Sequence, residues 1–401
     1  MTIYHDLGVK TIINAAGPLT RLSGSRMAPE VLAAMAEAAA WHVRIEDLQE
    51  QAGRVIAELT GAEAGYVTSG AAAGLALATA ACVAGLDVAK MDRLPDTSGM
   101  KNEVVIQRAH LNAYAHAIRM TGVKLIEVGY LGYPGAGATH AWQIEAAINE
   151  RTAAIAHPIM NSPGTVPLPQ VAELAHRYAV PVIVDAAAAL PPPENLRRFI
   201  AEGADLVTFS GGKAIGGPQA SGILCGRRDL IESVALQHQD MDVDPRTWTW
   251  RERYLESGLL PGPPHHGFGR AMKVGKEEIV GLIVALRRFV ARDHAAEAAA
   301  WEAQLRRLAD ELDGMPGLRC RLLDASETPR PYPYLTIGFD QAALGRSVWE
   351  LINALQDGDP PICVSQNFAD QGLLAIIPIQ LSPGDEQTIA RRLREELGGW
   401  A

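Results

Sequence analysis

The sequence has no run of basic residues, no apolar stretch long enough to cross a membrane, four scattered cysteines and only seven lysines. With a formal net charge of −10 and a pI near 5.6, it offers no electrostatic footprint for phosphate backbones or anionic bilayers. Nucleic-acid and membrane partners are therefore not expected. The opening MTIYHDLGVKTIINAAG lacks the basic region and long apolar core of a secretory signal. The longest apolar stretch, AAAGLALATAACVAG, is Ala-rich and 15 residues long. A membrane span needs about 20 strongly apolar residues, so this stretch reads as a buried core helix. Cys82, Cys225, Cys320 and Cys363 are far apart, without a CxxC pair or a histidine at metal-ligand spacing. No metal site is expected, and the four read as reduced core thiols of a cytoplasmic protein.

What is present is an ordinary globular composition, with 401 residues, 48% hydrophobic and 20% charged, enough for about two domains. Through the first two thirds, short apolar runs alternate with segments of helical period. EVVIQ (103–107), KLIEVG (124–129), AAIAH (153–157), VPVIVDAAAAL (180–190) and DLVTFS (205–210) read as strands, LPQVAELAHRYA (168–179) and ENLRRFIAEGA (194–204) as helices. Such alternation predicts an α/β fold with a mostly parallel sheet covered on both faces. Ligands of these sheets bind just beyond the carboxyl ends of the strands. A connection rich in Trp, Pro, Gly and His follows. Residues 276–312 then read as a long amphipathic helix broken near Arg292, and YLTIGF, LLAIIPI and DEQTIARRLREEL complete a smaller α+β C-terminal domain.

The scarcity of lysine makes one lysine informative. Arginine outnumbers lysine twenty-nine to seven, yet FSGGKAIGGPQASG (209–222) sets Lys213 among glycines directly after a predicted strand. Guanidinium cannot replace an amine in a Schiff base, because it stays protonated and is a poor nucleophile. A solvated turn residue is the plain alternative. Asp185 ends the apolar run VPVIVD, where a carboxylate is costly unless a positive partner meets it. A protonated pyridine nitrogen is such a partner, and a helix-capping role is the alternative. In YVTSGAAAGLALATAACVAG (66–85), a strand, then Ser69, Gly70 and Ala71, then a small-residue helix would aim backbone N–H groups at a phosphate. His110 closes VVIQRAH just past a strand end, where an imidazole could stack on a cofactor ring.

With these residues in view, the chain resembles fold-type I (aspartate aminotransferase-like) pyridoxal-phosphate enzymes. The group is that of bacterial L-seryl-tRNA(Sec) selenium transferase and its relatives. The similarity runs through LGVKTIINAAGPLTRLSG, TSGAAAG, NSPGTVPLPQVAELAHRYAVPVIVDAAAALPP, DLVTFSGGKAIGGPQASGILCG and GFGRAMKVGKEEIVGL, nearly the whole chain. It implies a seven-stranded sheet in a large PLP-binding domain (41–275), a small C-terminal domain (276–401), and an N-terminal segment (1–40) packing with the small domain and the active site. It also implies that Lys213 forms the Schiff base with pyridoxal 5'-phosphate and shuttles protons. Asp185 would pair with the pyridine nitrogen and His110 stack on the ring, while Ser69, Gly70, Ala71 and Ser210 hold the phosphate. Gly216, Gly217, Pro218 and Gln219 would shape the lysine loop, and the site would form in a homodimer or larger homo-oligomer.

The reaction is less legible, because residues that orient the substrate decide which bond lies perpendicular to the cofactor ring. Arg270 is the leading anion binder, since a guanidinium grips a carboxylate or phosphate through two N–H groups. Its alternative is an ion pair to Glu277 or Glu278. Arg21, Gln219 and Arg330 are further substrate candidates. The segment PRTWTWRERYLESGLLPGPPHH is expected to line the substrate entrance, with Trp248, Trp250, His265 and His266 as specificity residues. The stretch VKTIINAAG begins at residue 9, which predicts that the tRNA-binding domain of the transferases is missing. LQHQDMDVD and HGFGRAMKVGKEE place the chain nearer the D-glucosaminate-6-phosphate ammonia-lyase branch. That branch implies a lyase taking a small amino acid, of the D or L series, by α-proton abstraction and β-elimination to a 2-oxo acid and ammonia. A racemase, an aldolase, a selenium-transferase-like enzyme and an inactive binding subunit stay open.

Overall fold

A computed structural model describes residues 2–131, 138–160, 162–328, 330 and 332–398. The chain divides into two compact units, residues 27–290 and residues 1–26 together with 291–401. Its strands are β1 (Ile13–Ala15), β2 (Ala64–Thr68), β3 (Glu103–Gln107), β4 (Lys124–Val128), β5 (Thr152–Pro158), β6 (Val182–Asp185), β7 (Leu206–Ser210), β8 (Gly222–Gly226), β9 (Leu318–Leu323), β10 (Tyr334–Phe339), β11 (Ile362–Val364) and β12 (Leu373–Ile376).

The larger unit holds a seven-stranded sheet of order β2-β8-β7-β6-β5-β3-β4, in which only β8 runs against the others. The α/β class and the mostly parallel sheet expected from the sequence are therefore found. Every residue of β3, β5 and β8 is buried, which is why β3 and β5 read as largely apolar runs that do not alternate. The helix Ala71–Ala84 is apolar on nearly all sides and is buried along its length. Its small residues allow close packing, and a Cβ on Gly74 would collide with the Thr208 hydroxyl of β7. Six strands share one direction, so the carboxyl ends of β2, β3, β5, β6 and β7 lie along one edge of the sheet.

The smaller unit combines the antiparallel sheet β12-β10-β9 with the parallel pair β1-β11, so the first residues of the chain are built into it. Its core is Leu305, Leu308, Leu335, Ile337, Leu351, Ile352 and Leu393 with their neighbours. Residues 27–40 and 276–290 group with the larger unit. The break expected near Arg292 in the helix over 276–312 is found: Lys276–Ala291 and His294–Leu312 are separate, and the Asp293 side chain accepts from Ala296 N and caps the second. Cys225 and Cys363 are buried thiols, but Cys320 is exposed on β9, so the cysteines are not all core residues. No helix among the described residues is long and apolar enough to cross a membrane.

At the sheet edge, Gly222 pairs with Thr68 on one side and Ser210 on the other. A Cβ at Gly222 would stand 2.6 Å from the Gly70 carbonyl carbon and 2.8 Å from Ala71 N, both backbone atoms with little room to move. Gly222→Ala is expected to cost about 1–3 kcal/mol in urea unfolding, the usual toll of overpacking. At Gly262 a Cβ meets nothing within 4 Å, and Gly262→Ala is expected to change stability by less than about 0.5 kcal/mol. Equal effects would contradict this account.

Candidate active site

The lysine loop begins where β7 ends. Gly211 N donates to Ser221 O at 2.9 Å, Gly217 N to Gly211 O at 2.9 Å and Gly216 N to Lys213 O at 3.0 Å, a tight knot that leaves Lys213 half-buried. A Cβ on Gly212 would lie 2.5 Å from Gln219 Cα, so the glycines around the lysine are required for the loop to fold on itself. Gly217 is buried within the loop, and Gln219 is exposed on it.

Asp185 ends β6, in register with Thr208 of the neighbouring β7, two residues before Ser210. Its Oδ1 accepts from Ala187 N at 3.0 Å, so the carboxylate also organises the turn after the strand. No helix follows directly, and the capping alternative is replaced by this short turn. Asp185, His157, Pro158, Asn112 and Tyr114 line one small cavity with Leu75 of the helix Ala71–Ala84.

His110 sits just past β3 and is 2% exposed. Its ring meets that of His157 edge to face, with centroids 4.8 Å apart and planes at 81°. Sequence reasoning missed His157, whose signal was a histidine near the end of the otherwise apolar β5. Neither Nδ1 has a hydrogen-bond partner among the described residues. Burial pulls the His110 imidazole down to about 4, and burial together with His110 pulls His157 down to about 3. Both rings are neutral near pH 7.

The phosphate-binding candidates surround the start of the helix Ala71–Ala84. Gly70 holds φ at 142°, which side chains rarely adopt, and a Cβ there would meet no atom within 4 Å. Thr68 Oγ1 donates to Gly70 O at 2.9 Å and fixes the turn, and Ser69 Oγ donates to Met272 O at 2.9 Å. The first N–H groups of a helix lack intrahelical acceptors, and with the helix dipole they favour an anion. Ser210 flanks this start across Gly222. The open space at Gly70, the half-buried Lys213 and Asp185 and the neutral His110 together fit pyridoxal phosphate.

The substrate candidates are less converged. Arg270 binds Asp240 at 2.6 Å, and neither Glu277 nor Glu278 is its partner. Glu277 pairs instead with Lys276. The Asp242 backbone N–H, with Arg270, holds the Asp240 carboxyl below its usual range. Arg21 lies in the 3₁₀ turn Thr20–Leu22, and Arg330 is exposed, both in the smaller unit. Trp248 and Trp250 are core residues and not surface ones. They are 2% and 8% exposed and pack with Tyr254 in the core, Trp248 Nε1 donating to Gln239 Oε1 at 3.0 Å. An aromatic-rich connection can supply a core as well as a lid, and here it does the former. His265 and His266 are exposed partners of Asp92 and Asp242. A separate cavity of about 360 Å3 between the helix Ile45–Thr60, β2 and the helix Arg228–His238 includes none of the cofactor candidates.

Unfolded histidines take up a proton near pH 6.5, whereas native His110 and His157 resist to about 4 and about 3. The unfolded chain therefore binds more protons in that window, and stability falls as pH falls. The melting temperature is expected to drop from pH 7 to pH 4.5, and less steeply in His157→Gln. Identical slopes would contradict the buried neutral pair.

With the geometry in place, comparison with known proteins is specific. The family model described as L-seryl-tRNA selenium transferase matches residues 12–241. A D-glucosaminate-6-phosphate ammonia lyase of Salmonella typhimurium is 34% identical, covering 98% of this chain and 97% of that protein. A 5'-C-glycyluridine monooxygenase-decarboxylase of a Streptomyces species is also 34% identical, covering 98% and 92%. A solved structure of D-glucosaminate-6-phosphate ammonia-lyase superposes with a TM-score of 0.83 at 33% identity, over 100% of this chain and 99% of that one. Serine palmitoyltransferase of S. paucimobilis, solved with a PLP–myriocin aldimine, matches at a TM-score of 0.55 and 13% identity over 97% and 88%, a likeness of fold alone. A family match across more than half the chain and full-length relatives make this protein a member of the L-seryl-tRNA selenium transferase family, built on the fold-type I scaffold of pyridoxal-phosphate enzymes.

Proposed function

We propose that this enzyme is a pyridoxal-phosphate-dependent lyase that converts a small amino acid carrying a β leaving group into a 2-oxo acid and ammonia. The observation that carries the reading is the placement of Lys213, Asp185, His110 and the Gly70 helix start along one edge of one sheet. The bound cofactor supplies an electron sink that acidifies the α C–H of the amino acid joined to it.

In this reading Ser69, Gly70, Ala71 and Ser210 hold the phosphate, through backbone N–H groups and hydroxyls. Asp185 keeps a proton on the pyridine nitrogen, and His110 offers the face of a neutral ring. Lys213 Nζ would hold the cofactor covalently and would be the base that removes the α proton of the substrate. Loss of that proton and of the β substituent, followed by addition of water, gives the 2-oxo acid and ammonia. Gln219, Arg21 and Arg270 are the proposed substrate contacts, and Arg270 must exchange Asp240 for the substrate anion. The proposed assembly is a homodimer or larger, and the free thiols suit a cytoplasmic setting.

A second reading is favoured by the equal identity to the Streptomyces monooxygenase-decarboxylase. There the bond to the carboxylate breaks, with oxygen consumed and carbon dioxide released. The two separate by product. The enzyme, loaded with pyridoxal phosphate, is offered D-glucosaminate 6-phosphate and a panel of D- and L-amino acids bearing β-hydroxyl or β-phosphate groups. Ammonia and 2-oxo acid in equal amounts are the expected result. Oxygen uptake with carbon dioxide release would install the second reading, and α-deuterium exchange without ammonia would point to racemisation.

A further inference from the structure

The two segments LQHQDMDVD and GFGRAM meet at a single carbonyl. Met272 O, at the end of the turn Phe268–Met272, accepts from Ser69 Oγ at 2.9 Å and lies 3.0 Å from His238 Nε2. A carbonyl only accepts, so Nε2 carries the proton, and Nδ1 must then accept from the Tyr66 hydroxyl 2.9 Å away. Tyr66 and His238 are both buried. Burial holds the His238 imidazole below its usual range, a tendency the Met272 carbonyl opposes and Arg270 reinforces. Burial likewise pushes the Tyr66 phenol up, with Glu46 adding to it. One neutral tautomer is therefore locked.

The turn is also pressed against the end of the helix Arg228–His238. A Cβ on Gly267 would stand 2.7 Å from Gln237 O and 2.8 Å from its Cα, so that glycine is what allows the approach. Met272 O has two lone pairs and two donors. When Ser69 turns its hydroxyl toward an anion at the helix start, His238 keeps this carbonyl satisfied. Without His238, the same rotation would orphan a carbonyl beside the phosphate cradle.

Resting on the proposed pyridoxal-phosphate reading, we propose that His238, fixed by Tyr66, is a positioning residue that frees the Ser69 hydroxyl to bind the phosphate end of the cofactor. The test compares pyridoxal 5'-phosphate with pyridoxal, which lacks that end. Dissociation constants of the apoprotein for each are measured from the visible band each develops, with melting curves to confirm folding. His238→Leu is expected to bind pyridoxal 5'-phosphate about tenfold more weakly, the scale of one unsatisfied hydrogen-bonding group, with pyridoxal within about twofold of wild type. His238→Gln, which can still donate to Met272 O, is expected to recover most of the loss. Tyr66→Phe keeps the ring and removes the lock, and should shift the same ratio in the same direction. An unchanged ratio in both His238→Leu and Tyr66→Phe, or an equal loss for both cofactor forms, would overturn the inference alone. A wild-type protein that binds neither form, or does not prefer the phosphorylated one, would overturn the cofactor reading and the inference with it.

Discussion

At Gly222 the backbone of β8 lies between β2 and β7 and against the first turn of the helix Ala71–Ala84, with no space for a methyl group. That approach fixes where the helix start stands relative to the lysine loop, because Ser210 and Thr68 share Gly222 as neighbour. Behind it, Gly74 lets the helix sit on Thr208, and the fully buried strands β3, β5 and β8 make the sheet a stiff support. Chemical groups carried on strand ends of such a sheet hold their mutual geometry without help from mobile segments. The loops are free to vary; the edge is not.

The electrostatics of the edge divide by sign. The helix start offers partial positive charge, Asp185 a carboxylate, and His110 with His157 a neutral aromatic pair. Burial keeps that pair uncharged, so the two imidazoles add no positive charge to the edge. These features suit an electron sink but do not choose the bond that breaks. Relatives with two different chemistries stand at the same 34% identity. The choice therefore rests with substrate contacts, and Arg270 shows why these are hard to read. Its partner Asp240 is thirty residues away in sequence and invisible to any pattern of helical spacing.

Much of the fold was legible because parallel strands buried on both faces leave unbroken apolar runs. EVVIQ and DLVTFS fell within a residue of β3 and β7. β8 was not read from GILCG, since its glycines answer to contacts with Gly70 and Asp205 and not to strand propensity. Lys213 and Asp185 were visible as polar residues at the ends of apolar runs. Trp248 and Trp250 were misread because a Pro- and Gly-rich connection looks like a surface loop, and nothing local reveals that Gln239 and Tyr254 enclose it. His157 and the Tyr66–His238–Met272 link escaped for a related reason, being contacts between distant segments, each ordinary alone.

The central claim is that Lys213 is the covalent anchor of the cofactor. The most direct measurement is borohydride reduction of the protein loaded with pyridoxal phosphate, followed by digestion and peptide mass analysis. The account predicts one added cofactor, carried on the peptide containing Lys213 and absent in Lys213→Ala. A reduced adduct on Lys273, Lys276 or another lysine, or one that persists in Lys213→Ala, would contradict it.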